Sequence, residues 1–443
     1  MKRGRIRKVD RISDLPLNIM EHILTRLPIR DAVRTSVLSK KWKYKWVSLP
    51  ELVFDYSLQD ALQNVHDKIV KFVDRVLLLH RGPICKFELS DLSSPSLSDI
   101  HQWISFLSRN GIKELILSMP CSWYEIPSCL FSCDRLNLLE LSHCLFRCPP
   151  KFEFKHLKSL SLCQVEFAGF TFEDLVSSCP LLETLTLMWV RGFTNLTIEA
   201  PKLKYLNLRG HFKDVHFKNT PLLARVEIDL DWFDSNVDAL HSGHGETSNL
   251  IKILGGLVGV EDLYMASVGI LKFLAVGIVP KILPNAFHHL KFYHLKKLRL
   301  TSVAFHDSAV VSVALYLIRS APYLQKLEIS GSTRVDAGVE PVKELLELQE
   351  CLGCSFNQLQ IVTMKCSFGL RPELEFIKFL LSVTPALEKM SIHADSKDDT
   401  QCRSKLESTI LEEVMRFPRV SSKAEIECFE HLQIVEYRPS SWM

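Results

Sequence analysis

Leu182-Glu-Thr-Leu185-Thr-Leu187 and Leu203-Lys-Tyr-Leu206-Asn-Leu208 are two copies of one form, Leu-x-x-Leu-x-Leu. Leu136-Asn-Leu-Leu139-Glu-Leu141 and Leu157-Lys-Ser-Leu160-Ser-Leu162 precede them, and Leu295-Lys-Lys-Leu298-Arg-Leu300 repeats the form further on. Side chains two apart on a strand share a face, so the last two leucines of each copy point one way and the residues flanking them point the other. The first leucine packs the turn that leads into the strand. From Leu136 to a looser copy at Leu223 the starts fall 21, 25, 21 and 20 residues apart. A unit that short buries its apolar face only by stacking on the next copy.

Looser copies start at Ile84, Ile112, Leu223, Val260, Leu324, Leu359, Leu387 and Leu432. The tails agree: Cys144 and Phe146 follow Leu141, Val165 and Phe167 follow Leu162, and Val303 and Phe305 follow Leu300. Spacing and form are those of leucine-rich repeats, which predicts an α/β solenoid, a horseshoe of parallel strands. Near the midpoints of two repeats stand Phe193-Thr-Asn-Leu196-Thr-Ile198 and Phe212-Lys-Asp-Val215-His-Phe217, which read as strands on the convex side. From Val260 on the spacing widens to between 28 and 45 residues, enough for helices such as Ser308 to Arg319. Ahead of the strict copies, Leu58 to Leu79 keeps helical spacing until Gly82-Pro83, and Leu97 to Leu107 keeps it until Asn110-Gly111.

The stretch Asp10 to Pro50 is different in kind. Asp14 precedes Ile19, Ile23 and Leu27, which recur every four residues, so a capped amphipathic helix is expected up to Pro28. Val33 and Val37 continue the spacing, and Ser39 is placed to cap a third helix bearing Trp42 and Trp46. Three short helices hide little surface, and the apolar side chains here exceed what they can cover. Either another protein or the rest of this chain covers the remainder. Leu15-Pro16, Ile23-Leu24, Leu27-Pro28, Arg34, Val37-Leu38-Ser39 and Trp42 resemble the F-box motif, and Val-Leu-Ser-Lys-Lys-Trp resembles its plant form. That resemblance implies docking on the Skp-type adaptor of a cullin-RING ubiquitin ligase. The positions it carries over as adaptor-binding are Leu15, Pro16, Ile19, Ile23, Leu24, Leu27, Pro28, Val37, Leu38 and Trp42. Met20 and His22 fall where the motif is loose.

From about Asn357 to Glu430, Leu-Gln-Ile-Val-Thr-Met, then Glu373 to Leu381, then Thr-Pro-Ala-Leu-Glu-Lys-Met-Ser-Ile and Phe-Pro-Arg-Val-Ser-Ser resemble the FBD domain of plant F-box proteins. It reads as further repeats ending in a cap over the solenoid's open end. The expected organisation is a basic tail over 1–9, a three-helix F-box over 10–50 and a linking amphipathic helix over 51–83. Leucine-rich repeats over 84–350 and the FBD region and cap over 351–443 complete it. The function implied is that of a substrate-recognition subunit of an SCF-type E3 ligase, non-catalytic itself, joined through the adaptor to cullin and RING subunits and holding an unknown target. A scaffold that binds the adaptor without delivering anything for degradation has the same sequence signature.

Composition bounds the rest. At 47% apolar and 24% charged with net charge +3, the chain is an ordinary folded protein without built-in attraction to membrane or nucleic acid. Only Lys2, Arg3, Arg5, Arg7, Lys8 and Arg11 concentrate charge, as a solvated tail or a nuclear address. The thirteen cysteines follow no secretory signal segment, so reduced thiols and a nuclear or cytoplasmic setting are expected. Cys351, Cys354 and Cys366 lack a paired fourth zinc ligand, and His241 with His244 reads as a polar loop. No metal or cofactor is implied. Leu263 to Val279 is apolar but carries Lys272, Gly269 and Gly277, so buried strands and turns are expected there instead of a membrane span. No nucleophile and base pair, phosphate loop or His-Glu-x-x-His stands out. On the outer sheet face, small hydroxylic columns give way to charge and aromatic groups, and Tyr and Arg are frequent binding anchors. The target is therefore expected across Tyr205, Arg209, Arg225, Lys297 and Arg299, although a merely solvated face accounts for the same residues.

Overall fold

The computed structural model describes residues 12, 15–62, 65–90, 96–119, 123–147, 149, 152–169, 171–212, 214–230, 244–266, 268–275, 290–332, 339–367, 370–395 and 411–430. Asp14, the stretch Lys2 to Arg11, His241 and the triplet at Leu432 lie outside these residues. The described residues divide into two compact units, one up to Leu182 with Val190–Gly192, the other Glu183–Trp189 with those from Phe193 to Glu430.

The first unit opens with α1 (Leu17–Leu24) and α2 (Ile29–Arg34), followed by single 3-10 turns at Thr35–Val37 and Lys45–Ser48. The third helix expected from Ser39 does not form as an α-helix. The Ser39 hydroxyl finds no partner, and Tyr44 takes a left-handed conformation that stops any helix between Trp42 and Trp46. Both indoles nevertheless go inside, and Trp42 Nε1 donates to the Ile12 carbonyl at 3.1 Å. In α1 the inward residues are Met20 and Leu24, four apart, and not the Ile19–Ile23–Leu27 series.

β1 (Glu51–Phe54) follows at once, and the single helix expected from Leu58 is two, α3 (Tyr56–Ala61) and α4 (His66–Leu79). The repeat stack therefore begins at residue 51, inside the stretch read as a linking helix. β2 (Lys86–Ser90), α5 (Leu97–Arg109) and β3 (Glu114–Ser118) come next; Ser96 and Asp99 form the capping box of α5, and Gly111 closes it at φ +66°. β4 (Tyr124–Glu125), β5 (Leu138–Ser142), β6 (Cys144–Arg147), β7 (Ser159–Cys163), β8 (Glu166–Ala168) and α6 (Phe172–Ser177) complete the unit. β1, β2, β3, β5 and β7 form one parallel sheet in that order. Leu139, Leu141, Leu160 and Leu162 are fully buried, as the alternation requires. The tails after these strands are more than turns: β4, β6 and β8 pair as a second parallel sheet. Left-handed His143 and Gln164 supply the corners between β5 and β6 and between β7 and β8. Phe131, Phe146, Phe154 and Phe167 pack ring on ring behind them, with centroids 5.5 to 5.8 Å apart.

The second unit runs β9 (Thr184–Met188), β10 (Asn195–Glu199), β11 (Tyr205–Gly210), β12 (Asp214–Lys218), β13 (Arg225–Leu230), α7 (His244–Gly255), β14 (Asp262–Met265), α8 (Val268–Ala275) and β15 (Lys297–Val303). It continues with α9 (Ser308–Arg319), β16 (Lys326–Gly331), α10 (Glu340–Cys351), β17 (Ile361–Ser367), α11 (Arg371–Val383), β18 (Lys389–Asp395) and β19 (Glu425–Glu430). β10 and β12, the expected convex strands, pair with each other. All the others form one parallel sheet, each strand beside the next in the chain apart from that pair. The FBD region thus supplies three more strands of the same kind, with α11, one face of it buried, connecting β17 to β18. The apolar run from Leu263 is a strand end followed by the eight-residue helix α8, and among the described residues no helix is long and apolar enough to cross a membrane.

Each strand is held in step by one carbonyl. The Asn137 carbonyl accepts from the amides of both Lys158 and Ser159, at 2.8 and 3.0 Å; those of Glu183, Ala224, Glu261, Lys296 and Gln360 do the same for the repeat that follows each. At the end of β16 this stack leaves no room for a side chain. A Cβ on Gly331 would lie 2.6 Å from Oε1 of Glu373, a fully buried carboxylate whose Oε2 accepts the Leu370 amide at the start of α11. Gly331→Ala is expected to lower stability by about 1–3 kcal/mol in urea unfolding, an overpacking effect; an unchanged midpoint would refute this.

Ten of the cysteines fall in the described residues, all as free thiols. Burial pushes Cys179 up to about 11 and Cys133 to about 12, and raises Cys144 and Cys366 as well. Cys351 is exposed. Iodoacetamide at pH 8 should therefore alkylate Cys351 in the native protein and reach those four only in denaturant, as peptide mass mapping would reveal.

Candidate functional site

Strand register sets the sheet face of the second unit. Tyr205, Arg225, Asp262, Lys297 and Lys326 stand side by side in one row, and Asn207, Glu227, Tyr264, Arg299 and Glu328 in the next. All five expected target residues fall in or beside these rows, but their cations are not independently solvated. Glu227, nearly buried, accepts from Arg225 Nη2 at 2.7 Å, with Arg299 Nη2 at 3.5 Å from the same oxygen and Arg209 Nη2 at 4.0 Å from the other. Asp262 takes Arg299 at 3.2 Å and lies 3.7 Å from Arg225 Nε. Arg225 lies over the Tyr205 ring at 5.3 Å and Arg299 over Tyr264 at 4.6 Å. Glu328 holds Lys297 and Lys326 at 3.0 and 3.2 Å.

This network corrects the expectation for Arg299. Its side chain is only 16% exposed and clamps the two carboxylates, so it positions its neighbours and offers little contact surface. Burial opposes the charge on Arg225, but the hydrogen bond and charge of Glu227, with Asp262 behind them, raise its pKa. Tyr205 is raised too, by burial first and then by Glu227. No local signal marks Glu227 and Glu328 as clamps, and Asp262 is hidden because its strand carries the degenerate copy that starts at Val260. Glu261 and Lys296, 3.0 Å apart, form an exposed pair at the start of the same strands.

The second candidate surface is the N-terminal helical unit. Val37 is 86% exposed, Leu17 58%, Leu38 51% and Ile19 41%. Pro16 and Pro28 are exposed as well, whereas Leu15, Ile23 and Leu27 are half-buried. Leu24 and Trp42, both counted as adaptor-binding from the motif, lie inside among Met20, Ile29 and Trp46 and serve the core of this structure. Leu17 was missed, since the first turn of a helix shows no periodicity of its own. Of the Cys351, Cys354 and Cys366 group only Cys351 is exposed, and among the described residues no three metal-type ligands come together.

Residues 12–54 match the F-box domain family, and residues 100–243 match the family described as FBD-associated F-box protein At5g56370, LRR repeats. With the stacked parallel strands, this defines an F-box protein with leucine-rich repeats. The F-box/FBD/LRR-repeat protein At1g13570 of Arabidopsis thaliana is 41% identical over 421 residues, 94% of this chain and 98% of that protein. The FBD-associated F-box protein At5g56370 of the same plant is 28% identical over 446 residues, 94% of this chain and 99% of its own. The chain belongs to the F-box/FBD/LRR-repeat family.

One property of the sheet face is measurable by pH. Burial alone would raise the Glu328 carboxyl, but Lys297 and Lys326 outweigh it and hold it below its ordinary value near 4.5. A carboxyl lowered on folding stabilises above its unfolded pKa and loses that contribution as pH falls through the folded value. The stability difference between the protein and Glu328→Gln should therefore be constant above about pH 5 and shrink progressively as pH falls below it. A difference that grows on acidification would contradict the clamp.

Proposed function

We propose that the chain is the substrate-recognition subunit of an SCF-type ubiquitin ligase, with its F-box docked on a Skp-type adaptor and its repeat sheet holding the target. The observation that carries the reading is the exposure of Leu17, Ile19, Val37 and Leu38 in an F-box whose larger side chains are buried. A small unit that hides Trp42 and Trp46 yet leaves these aliphatic groups in water has surface suited to another protein. In this reading cullin and RING subunits arrive through the adaptor, and the chain is non-catalytic. Its contribution is proximity: a target held near a charged conjugating enzyme reacts at a raised effective concentration. The sheet face of Tyr205, Arg209, Arg225 and Lys297 is the target reader, and the setting is nucleus or cytoplasm.

Val37 and Leu38 already face water, so Val37→Asp with Leu38→Asp leaves the fold intact while placing charge in the contact. The pair is expected to cost about 2 kcal/mol or more of adaptor binding, a roughly thirtyfold or larger loss. Co-purification with a Skp-type adaptor measures it, and urea unfolding checks the fold. Full retention of the adaptor by this variant and by Leu17→Asp with Ile19→Asp would remove the proposed docking surface.

A further inference from the structure

The network on the second unit's sheet is layered by charge. Side-chain exposure is 48% for Arg225, 39% for Lys326, 35% for Arg209 and 30% for Lys297, against 10% for Glu227, 24% for Asp262 and 31% for Glu328. Arg299, at 16%, is buried with the carboxylates and Lys297 stands level with Glu328, whereas Arg225, Lys326 and Arg209 lie above Glu227 and Asp262. A guanidinium has five N–H donors, and the inner carboxylates use only one edge of each arginine. Arg225 engages Glu227 and Asp262 through Nη2 and Nε; Arg209 engages Asn207 through Nε and faces Glu227 through Nη2. Among the described residues no acceptor meets Nη1 of either. These two edges are held on either side of one carboxylate with their orientation already fixed, which removes much of the ordering cost of binding.

The layering selects a ligand. A cationic segment would have to pass the guanidinium groups to reach Glu227, and an apolar one would strip water from ion pairs without replacing it. An anion accepts from the outward N–H groups and leaves every existing pair in place. Its charge is also bounded. Counting Asp229, which faces Arg209 across β11 and β13, five cations meet four carboxylates here, a surplus of one: Arg209, Arg225, Arg299, Lys297 and Lys326 against Glu227, Asp229, Asp262 and Glu328. A dianionic phosphate would put two charges at one point beside Glu227, Asp229 and Asp262, more than that surplus of one offsets, whereas a single carboxylate between two guanidinium edges keeps the signs alternating.

Resting on the reading that this face holds the target, we propose that it takes an acidic peptide segment, one carboxylate on the outward edges of Arg209 and Arg225 and a second on Lys297 and Lys326. Arg225 and Lys297 share a row two strands apart, which is about 10 Å at the usual strand separation. An extended peptide crossing the strands covers that in about three residues, so the recognised pattern is acidic-x-x-acidic.

The experiment uses the full chain bound to its adaptor and a fluorescein-labelled Gly/Ser peptide with two glutamates three residues apart. Gln counterparts, a version with adjacent glutamates and one with phosphoserine at both places serve as comparators. Fluorescence anisotropy should show saturable binding of the spaced glutamate peptide, weakened by salt. Arg225→Gln and Arg209→Gln should each lower that affinity about tenfold, and Arg225→Lys should only partly restore it, because an ammonium lacks the fork. Equal binding of the Gln peptide, equal binding of the adjacent version, or preference for phosphoserine overturns the proposal. If no acidic peptide binds but a captured target is released by Arg225→Glu with Lys297→Glu, the acidic pattern fails and the sheet reading stands. If that target stays bound, both fall.

Discussion

In each unit the fold depends on a single bifurcated hydrogen bond repeated along the chain: the carbonyl just before one strand accepts two consecutive amides of the next repeat, as Glu183 does for Lys204 and Tyr205 and Glu261 for Lys296 and Lys297. The bond fixes register, and register in a structure of period two decides everything at once. A slip of one residue would send Leu206 and Leu208 into water and Tyr205, Asn207 and Arg209 into the core. The leucines are thus a consequence of the pairing as much as its cause, since burying two per strand stabilises by about 1.5 to 3 kcal/mol each only when the neighbouring strand stands in step.

The same register builds the charged face. Arg225, Asp262 and Lys297 are far apart in sequence, yet they become lateral neighbours because their strands pair residue for residue. Charges placed on adjacent strands of a sheet either alternate in sign or repel. Here Glu227 and Asp262 face three arginines between them, and Arg225 and Arg299 in turn lie over Tyr205 and Tyr264. The arrangement is rigid for a surface, because moving the guanidinium of Arg225 or Arg299 disturbs both Glu227 and Asp262.

How much of this was legible in the sequence follows from where its signals come from. The five strict leucine copies, the helix from Leu97 to its Asn110-Gly111 close and the helix Ser308 to Arg319 were read correctly because leucine alternation, a glycine after the last turn and 3.6-residue spacing are local signals. β1 was hidden, since Leu52 and Phe54 give only one alternation beside the F-box helices. β4, β6 and β8 were hidden for another reason: their corners use left-handed His143 and Gln164 instead of glycine, so no turn residue announced them. The third F-box helix was over-read, because a serine before an apolar run resembles a cap whether or not its hydroxyl finds an amide. At the sheet face the anchor types were visible and their pairing was not, for an ion pair between strands is set by tertiary register.

The F-box illustrates a limit on motif reading as a physical method. Leu24 and Trp42 belong to the motif as firmly as Val37 and Leu38, but they are buried while the latter two stand in water. A pattern of apolar residues records both the side chains that hold a small domain together and those it presents to a partner. The two roles separate only through exposure. A unit of about forty residues has too little interior for all of them, so which ones remain outside is decided by helix geometry: Met20 and Leu24, four apart, claim the inward stripe of α1, and Leu17 and Ile19 are left on the outside.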